Sequence, residues 1–185
     1  TGNFGNILAA YYAKEMGLPM NKLICASNDN KVLYDFFETG TYDRRRDFVL
    51  TMSPSMDILI SSNLERLIYT IAGEDASVVN ELMDRLQTEG QYTITEDMKA
   101  KLDAFYPAFA TEAMTQEAIK DEFEDINYML DPHTAVAKVA FDKYINETKD
   151  TRKTVIVSTA SPYKFTKSTL MALDNRYENI DDFEL

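Results

Sequence analysis

The chain alternates stretches of helical period with short apolar runs. Ile7, Leu8, Tyr11, Tyr12 and Met16 recur at the spacing of one helix face. Gly17-Leu18-Pro19 supplies the stop, because glycine accepts positive φ and proline cannot continue a helix. The next run, KLICAS, is short and apolar and predicts a buried strand. Asn28 and Asp29 are expected to cap a helix through Phe36 and Phe37 that ends at Thr39 and Gly40. In SMDILISSNLERLIYTIAG the apolar positions 56, 59, 60, 64, 67, 68 and 71 predict one long helix, or two meeting near Ser61. The following acidic stretch reads as mostly helical, with a short strand at QYTIT. Asp131 is placed to cap a helix through DPHTAVAKVAFDKYI, with Pro132 at the first helical position, where its missing N–H costs nothing. KTVIVST, rich in β-branched residues, predicts a buried strand, and SPYKFTKSTLMALD a helix. Strands separated by helices indicate an α/β fold, a mainly parallel sheet flanked by helices. With no repeat, low-complexity tract or Pro/Gly-rich linker, residues 1–185 read as a single domain.

Composition narrows the class. With 45% hydrophobic and 27% charged residues, the 185-residue chain suits one packed soluble domain. It holds neither an apolar run of about eighteen residues nor a basic-then-apolar leader, and a cytoplasmic location is expected. The single cysteine, Cys25, lies in an apolar run and reads as a buried inert thiol. A net charge of −12 argues against a nucleic-acid partner, which would need clustered Lys and Arg. The acidity belongs to one segment. Residues 74–131 carry fifteen acidic and four basic side chains, which leaves a balance of −1 for the rest of the chain. A solvated helical face explains such a segment.

Two places concentrate chemistry. In Thr1-Gly2-Asn3-Phe4-Gly5-Asn6, glycines precede a helix directly, so backbone N–H groups and the positive end of the helix dipole converge where an anion could sit. Gly2 and Gly5 allow close backbone approach, and Asn3 and Asn6 add side-chain donors. A plain turn has the same composition. The glycine spacing is not that of the dinucleotide fingerprint, and the Lys-Ser/Thr end of a P-loop is missing. In VSTASPYKF, the expected strand ends in Ser158, Thr159 and Ser161. Hydroxyls at the carboxyl end of a parallel strand face the ligand crevice of an α/β sheet, whereas Ser161 ahead of Pro162 also suits a helix cap.

The sequence resembles threonine synthases, pyridoxal-phosphate enzymes of the tryptophan-synthase β-like fold (fold type II). The resemblance rests on TGNFGNILAAYYAKEMGLP, ICASNDNKVLYDFFETGTYD, SPSMDILISSNLERL, DPHTAVA and STASPYKF, in that order. It implies part of the large domain of such an enzyme, with pyridoxal phosphate as cofactor. In the family the GNFGN loop holds the cofactor phosphate, which points to Gly2, Asn3, Phe4, Gly5 and Asn6, and the threonine of the TA-x-P-x-KF motif hydrogen-bonds the pyridine nitrogen, which points to Thr159. The family converts O-phospho-L-homoserine and water to L-threonine and phosphate. Its Schiff-base lysine precedes the GNFGN loop, and none of the lysines here stands in that motif; Lys164 reads as a surface residue. The resemblance therefore implies the carboxy-terminal portion of the enzyme, inactive alone, with a sheet edge that invites self-association.

His133, the only histidine, could contact the substrate or serve packing at its helix start. No residues have metal-ligand spacing around it. Arg44, Arg45 and Arg46 could bind the substrate phosphate, although a solvated loop has the same composition. The competing functional class is a non-catalytic acidic α/β module that makes a protein contact.

Overall fold

The computed structural model describes residues 2–181 and Glu184. Helix α1 (Gly5–Glu15) leads into strand β1 (Leu23–Ser27), helix α2 (Val32–Thr39) and strand β2 (Thr41–Asp43). Helices α3 (Leu64–Ile71) and α4 (Ala76–Thr88) precede strand β3 (Gln91–Thr93), helix α5 (Glu96–Ala100) and strand β4 (Phe105–Phe109). Helices α6 (Glu112–Ile126), α7 (Pro132–Thr148) and α8 (Thr166–Leu173) complete the order. β1 and β4 pair in parallel, Leu23 opposite Phe105 through Ser27 opposite Phe109; β2 and β3 form a separate antiparallel pair. No helix among the described residues is long and apolar enough to cross a membrane.

The parallel pair lies between helical layers because both of its faces are apolar. Leu23, Cys25 and Phe105 join Phe4, Ile7, Leu8 and Phe36 in the larger core cluster, on the side of α1 and α2. The alternate residues Ala26 and Ala108 pack instead with Val136, Val139 and Ala140 of α7. The small residues at these last positions let α7 approach the sheet closely. Under the antiparallel pair the rings of Tyr42 and Tyr92 stack with centroids 5.5 Å apart. Burial pushes the Tyr42 hydroxyl up to about 12.

The local signals hold for α1, β1 and α7, whose Asp131 carboxylate accepts from the backbone N–H groups of His133 and Thr134. Gly40, at φ 78°, ends α2 in the left-handed conformation. Four expectations need correction. Asn28 and Asp29 do not cap α2, which starts after Lys31 with no side-chain cap. The Asn28 amide donates instead to Thr51, Ser53 and Asp57, and Asp29 accepts from the N–H of Glu112 at the start of α6. The apolar positions 56, 59 and 60 are not in a long helix: only a 3-10 turn (Pro54–Met56) and α3 form. Long-range bonds draw the backbone away from helical geometry there, since the Tyr42 hydroxyl donates to the Leu59 carbonyl and accepts from Ser61 N–H, and Ser62 N–H donates to the Asn3 side chain.

KTVIVST forms no strand. It makes no ladder with a described strand, and Val155 and Val157 are 84% and 62% exposed. A cavity of about 560 Å³, lined by Ile7, Leu23 and Ile24 on one side and Val155, Ile156 and Val157 on the other, separates the segment from β1. The expected strand lacks a neighbour at the roughly 4.8 Å spacing that a ladder requires. Finally, Ser161 makes no side-chain cap; a 3-10 turn (Pro162–Lys164) precedes α8.

Candidate functional site

The 2–6 loop meets the carboxyl end of β1. Gly2 shares a small cavity of about 10 Å³ with Ala26, Ser27 and Asn28. Phe4 holds the loop: its ring is wholly buried, 5.8 Å from Phe37 and 5.7 Å from Phe105 between centroids. Its backbone has φ 64°, a left-handed conformation that is an outlier for a bulky residue and costs about 1–2 kcal/mol. Burial of an aromatic ring offsets that cost. The strain therefore sits at the start of α1, where backbone outliers often mark binding sites.

The entry to α1 is arranged differently from those of α4, α5, α6 and α7. Asp75, Thr95, Thr111 and Asp131 each accept backbone N–H groups at those four starts, whereas α1, like α2, α3 and α8, has no side-chain cap; what sets α1 apart is the pair of glycines flanking the positive-φ Phe4. The first-turn N–H groups of a helix have no acceptor within the helix itself. An anion fits that position by charge and by hydrogen bonding. Gly2, at φ 30°, has no room for a side chain, because a Cβ there would overlap the Ser55 carbonyl oxygen. Asn3 is not a free donor: its side chain accepts from Ser62 N–H at 2.7 Å and lies 2.8 Å from Ser62 Oγ, while the Asn63 amide donates to its carbonyl. These bonds brace the loop from outside. Gly5 and Asn6 are exposed, Asn6 toward the larger cavity.

His133 is buried and both its ring nitrogens are engaged. Nδ1 lies 3.1 Å from Asp131 Oδ1, and Nε2 accepts the Ser55 N–H at 3.1 Å. The second bond assigns the tautomer, with the proton on Nδ1 directed at the carboxylate. The ring also packs on Phe165, centroids 4.8 Å apart. Asp131 accepts further from the Thr134 hydroxyl, whose oxygen is 3.0 Å from Ser158 Oγ. Burial by itself would raise the Asp131 pKa, but the bonds from His133 and Thr134 prevail and hold it below the usual carboxylate value. Thr159 follows directly and is exposed, as is Lys164. Cys25 is buried.

Arg44, Arg45 and Arg46 have protein partners. Arg45 makes a fork to Asp43, Arg46 bonds Asp35 at 2.6 Å, and Arg44 donates to the Gln87 carbonyl. They tie β2 to its neighbours. Three participants have no role in the sequence pattern: Ser55, Ser62 and Thr134. SPSMDILISSNLERL and DPHTAVA contain all three, so the motifs were visible while the contacts between them were not.

Comparison with known proteins agrees with this architecture. No family model matches the chain. The chain is 46% identical to threonine synthase-like 1 of Homo sapiens, over 94% of its own length and 23% of that protein. It is 38% identical to threonine synthase of Saccharomyces cerevisiae, over 94% of this chain and 37% of that one. Among solved structures, PLP-bound threonine synthase from Brucella melitensis superposes with a TM-score of 0.83 at 39% identity, over 93% of this chain and 36% of that one. Threonine synthase from yeast superposes with a TM-score of 0.87 at 34% identity, over 100% and 39%. The fold is accordingly that of a fold type II pyridoxal-phosphate enzyme, mixed α/β with a parallel sheet. Within that class the chain matches threonine synthases in sequence and in fold along nearly its whole length. It spans between 23% and 39% of the length of these relatives.

Proposed function

We propose that the chain is the carboxy-terminal part of a threonine synthase's cofactor-binding domain and forms one side of a pyridoxal-phosphate cradle. In this reading the backbone of Gly2, Asn3, Phe4, Gly5 and Asn6, with the first turn of α1, receives the cofactor phosphate. Thr159 gives the pyridine nitrogen a neutral hydroxyl partner, which tunes the ring without a carboxylate. When bound, pyridoxal phosphate supplies an electron sink for carbanions formed on the substrate. The whole enzyme converts O-phospho-L-homoserine and water to L-threonine and phosphate. The observation that carries the reading is the α1 entry: a strained, glycine-flanked helix start with no side-chain cap and no room for a Cβ at Gly2.

This chain alone is inactive in the proposal, because covalent catalysis needs a lysine poised at the cofactor aldehyde and none of its lysines is so placed. His133 has no free ring nitrogen for substrate, and the three arginines are engaged within the protein. The test compares this chain with a longer protein that carries the family's lysine-bearing segment ahead of it. Phosphate release from O-phospho-L-homoserine, with pyridoxal phosphate added, is expected from the longer protein and not from the chain alone. Turnover by the chain alone would overturn the inactivity; a longer protein without turnover and without visible absorbance from bound cofactor would overturn the assignment.

A further inference from the structure

The polar cluster at the start of α7 connects two segments that are far apart in sequence. Asp131, buried to 2% exposure, accepts a hydrogen bond from the His133 Nδ1–H on one oxygen and from the Thr134 hydroxyl on the other. From His133 the chain of contacts runs through Nε2 to the N–H of Ser55, whose carbonyl lies against Gly2. From Thr134 it runs to Ser158, next to Thr159. Packing of His133 on Phe165 adds a third tie, to the residue that enters α8. A carboxylate with both oxygens committed to side chains of one rigid helix start leaves little freedom in either direction.

We infer that Asp131, His133 and Thr134 are positioning residues that set the register between the 2–6 loop and the Ser158-Thr159 segment. The inference rests on the reading of those two segments as the phosphate and ring contacts of the cofactor. The alignment of Nε2 gives His133 a specific task that packing alone does not require. Its lone pair accepts one backbone N–H and so fixes the height of the 3-10 turn (Pro54–Met56) beneath Gly2. Thr134 performs the matching task on the other side through its hydroxyl.

Amide hydrogen exchange and amide chemical shifts of the ligand-free chain test each tie separately. Ser55 is exposed, so protection of its N–H comes from the His133 bond. In His133→Phe, which keeps a ring against Phe165, Ser55 exchange is expected to accelerate about tenfold, the worth of one hydrogen bond, with the amide of Gly2 shifting and those of residues 158–160 unmoved. His133→Gln, which restores an acceptor, is expected to return exchange to within about threefold of the parent. Thr134→Val is expected to move the amides of residues 158–160 and leave Ser55 unchanged. Should the phenylalanine variant not fold, His133→Asn reads the same tie, keeping a polar group toward Asp131 without an acceptor at the Nε2 position. Unchanged Ser55 exchange in the folded variant, or no rescue by glutamine, overturns the inference. A titration with inorganic phosphate then separates it from the cofactor reading. Weaker phosphate binding in His133→Phe with rescue in His133→Gln supports both, whereas absence of phosphate binding by the parent chain removes the cofactor reading and leaves the exchange result to decide the tie.

Discussion

Four donors converge on the carboxylate of Asp131: the N–H groups of His133 and Thr134, the His133 ring and the Thr134 hydroxyl. Their combined effect is a pKa below the ordinary 3.8, against the upward push of burial. A folded-state value lower than the unfolded one means that the group stabilises the fold above the unfolded value, and that this contribution fades as pH falls through the folded value. Asp131→Asn isolates it, since asparagine caps a helix about as well as aspartate. At neutral pH the variant is expected to be less stable by about 1–3 kcal/mol, because buried donors face a weaker acceptor. Urea unfolding at pH about 7 and about 3 checks the sign: the gap between parent and variant narrows at the lower pH. A gap that widens on acidification would contradict the assignment. Glu112 behaves in the opposite sense, with burial pushing its carboxyl up, so the parent's own acid profile mixes both and only the difference between variant and parent is diagnostic.

The elements that the hydrophobic pattern announces are those whose ends are encoded nearby. Asp131 and Pro132 mark the start of α7, and Gly40 the end of α2. β4 is different. Its sequence FYPAF carries a proline, which ordinarily speaks against a strand. The bonds Leu23 N–H to Ala104 and Ala110 N–H to Ser27 show why it is tolerated, because that phase turns the Pro107 nitrogen away from β1. The loop before α3 was equally illegible, since Asn28, Tyr42 and Asn3 act on it from far along the chain. The glycine-flanked helix entry at residues 2–6 stands out locally, although a plain turn has the same composition, and its link to His133 runs through the turn at Ser55, 78 positions before His133 in sequence. KTVIVST shows the converse, a strand signal without a strand partner. Exposed Val155 and Val157, in a β-branched segment outside any ladder of the described strands, invite pairing with another chain. Light scattering at high concentration is expected to show self-association that the double variant Val155→Glu, Val157→Glu reduces; a parent chain that stays monomeric would contradict this.

At the scale of the molecule, the motifs quoted from five places in the sequence come together around the carboxyl end of β1 and the starts of α1 and α7. One helix start is braced from outside by Ser62 and Asn63 and left without a cap; the other is capped and fully bonded. That contrast is the physical basis for placing a phosphate at the first and a positioning cluster at the second. The most direct measurement is a titration of the isotope-labelled chain with inorganic phosphate and with pyridoxal phosphate, followed by backbone amide shifts. The account predicts weak saturable binding with the largest shifts at Gly5, Asn6 and Ile7, lost in Gly2→Ala, whose Cβ would collide with Ser55. Amides of the α1 start that stay unmoved by either ligand would contradict it.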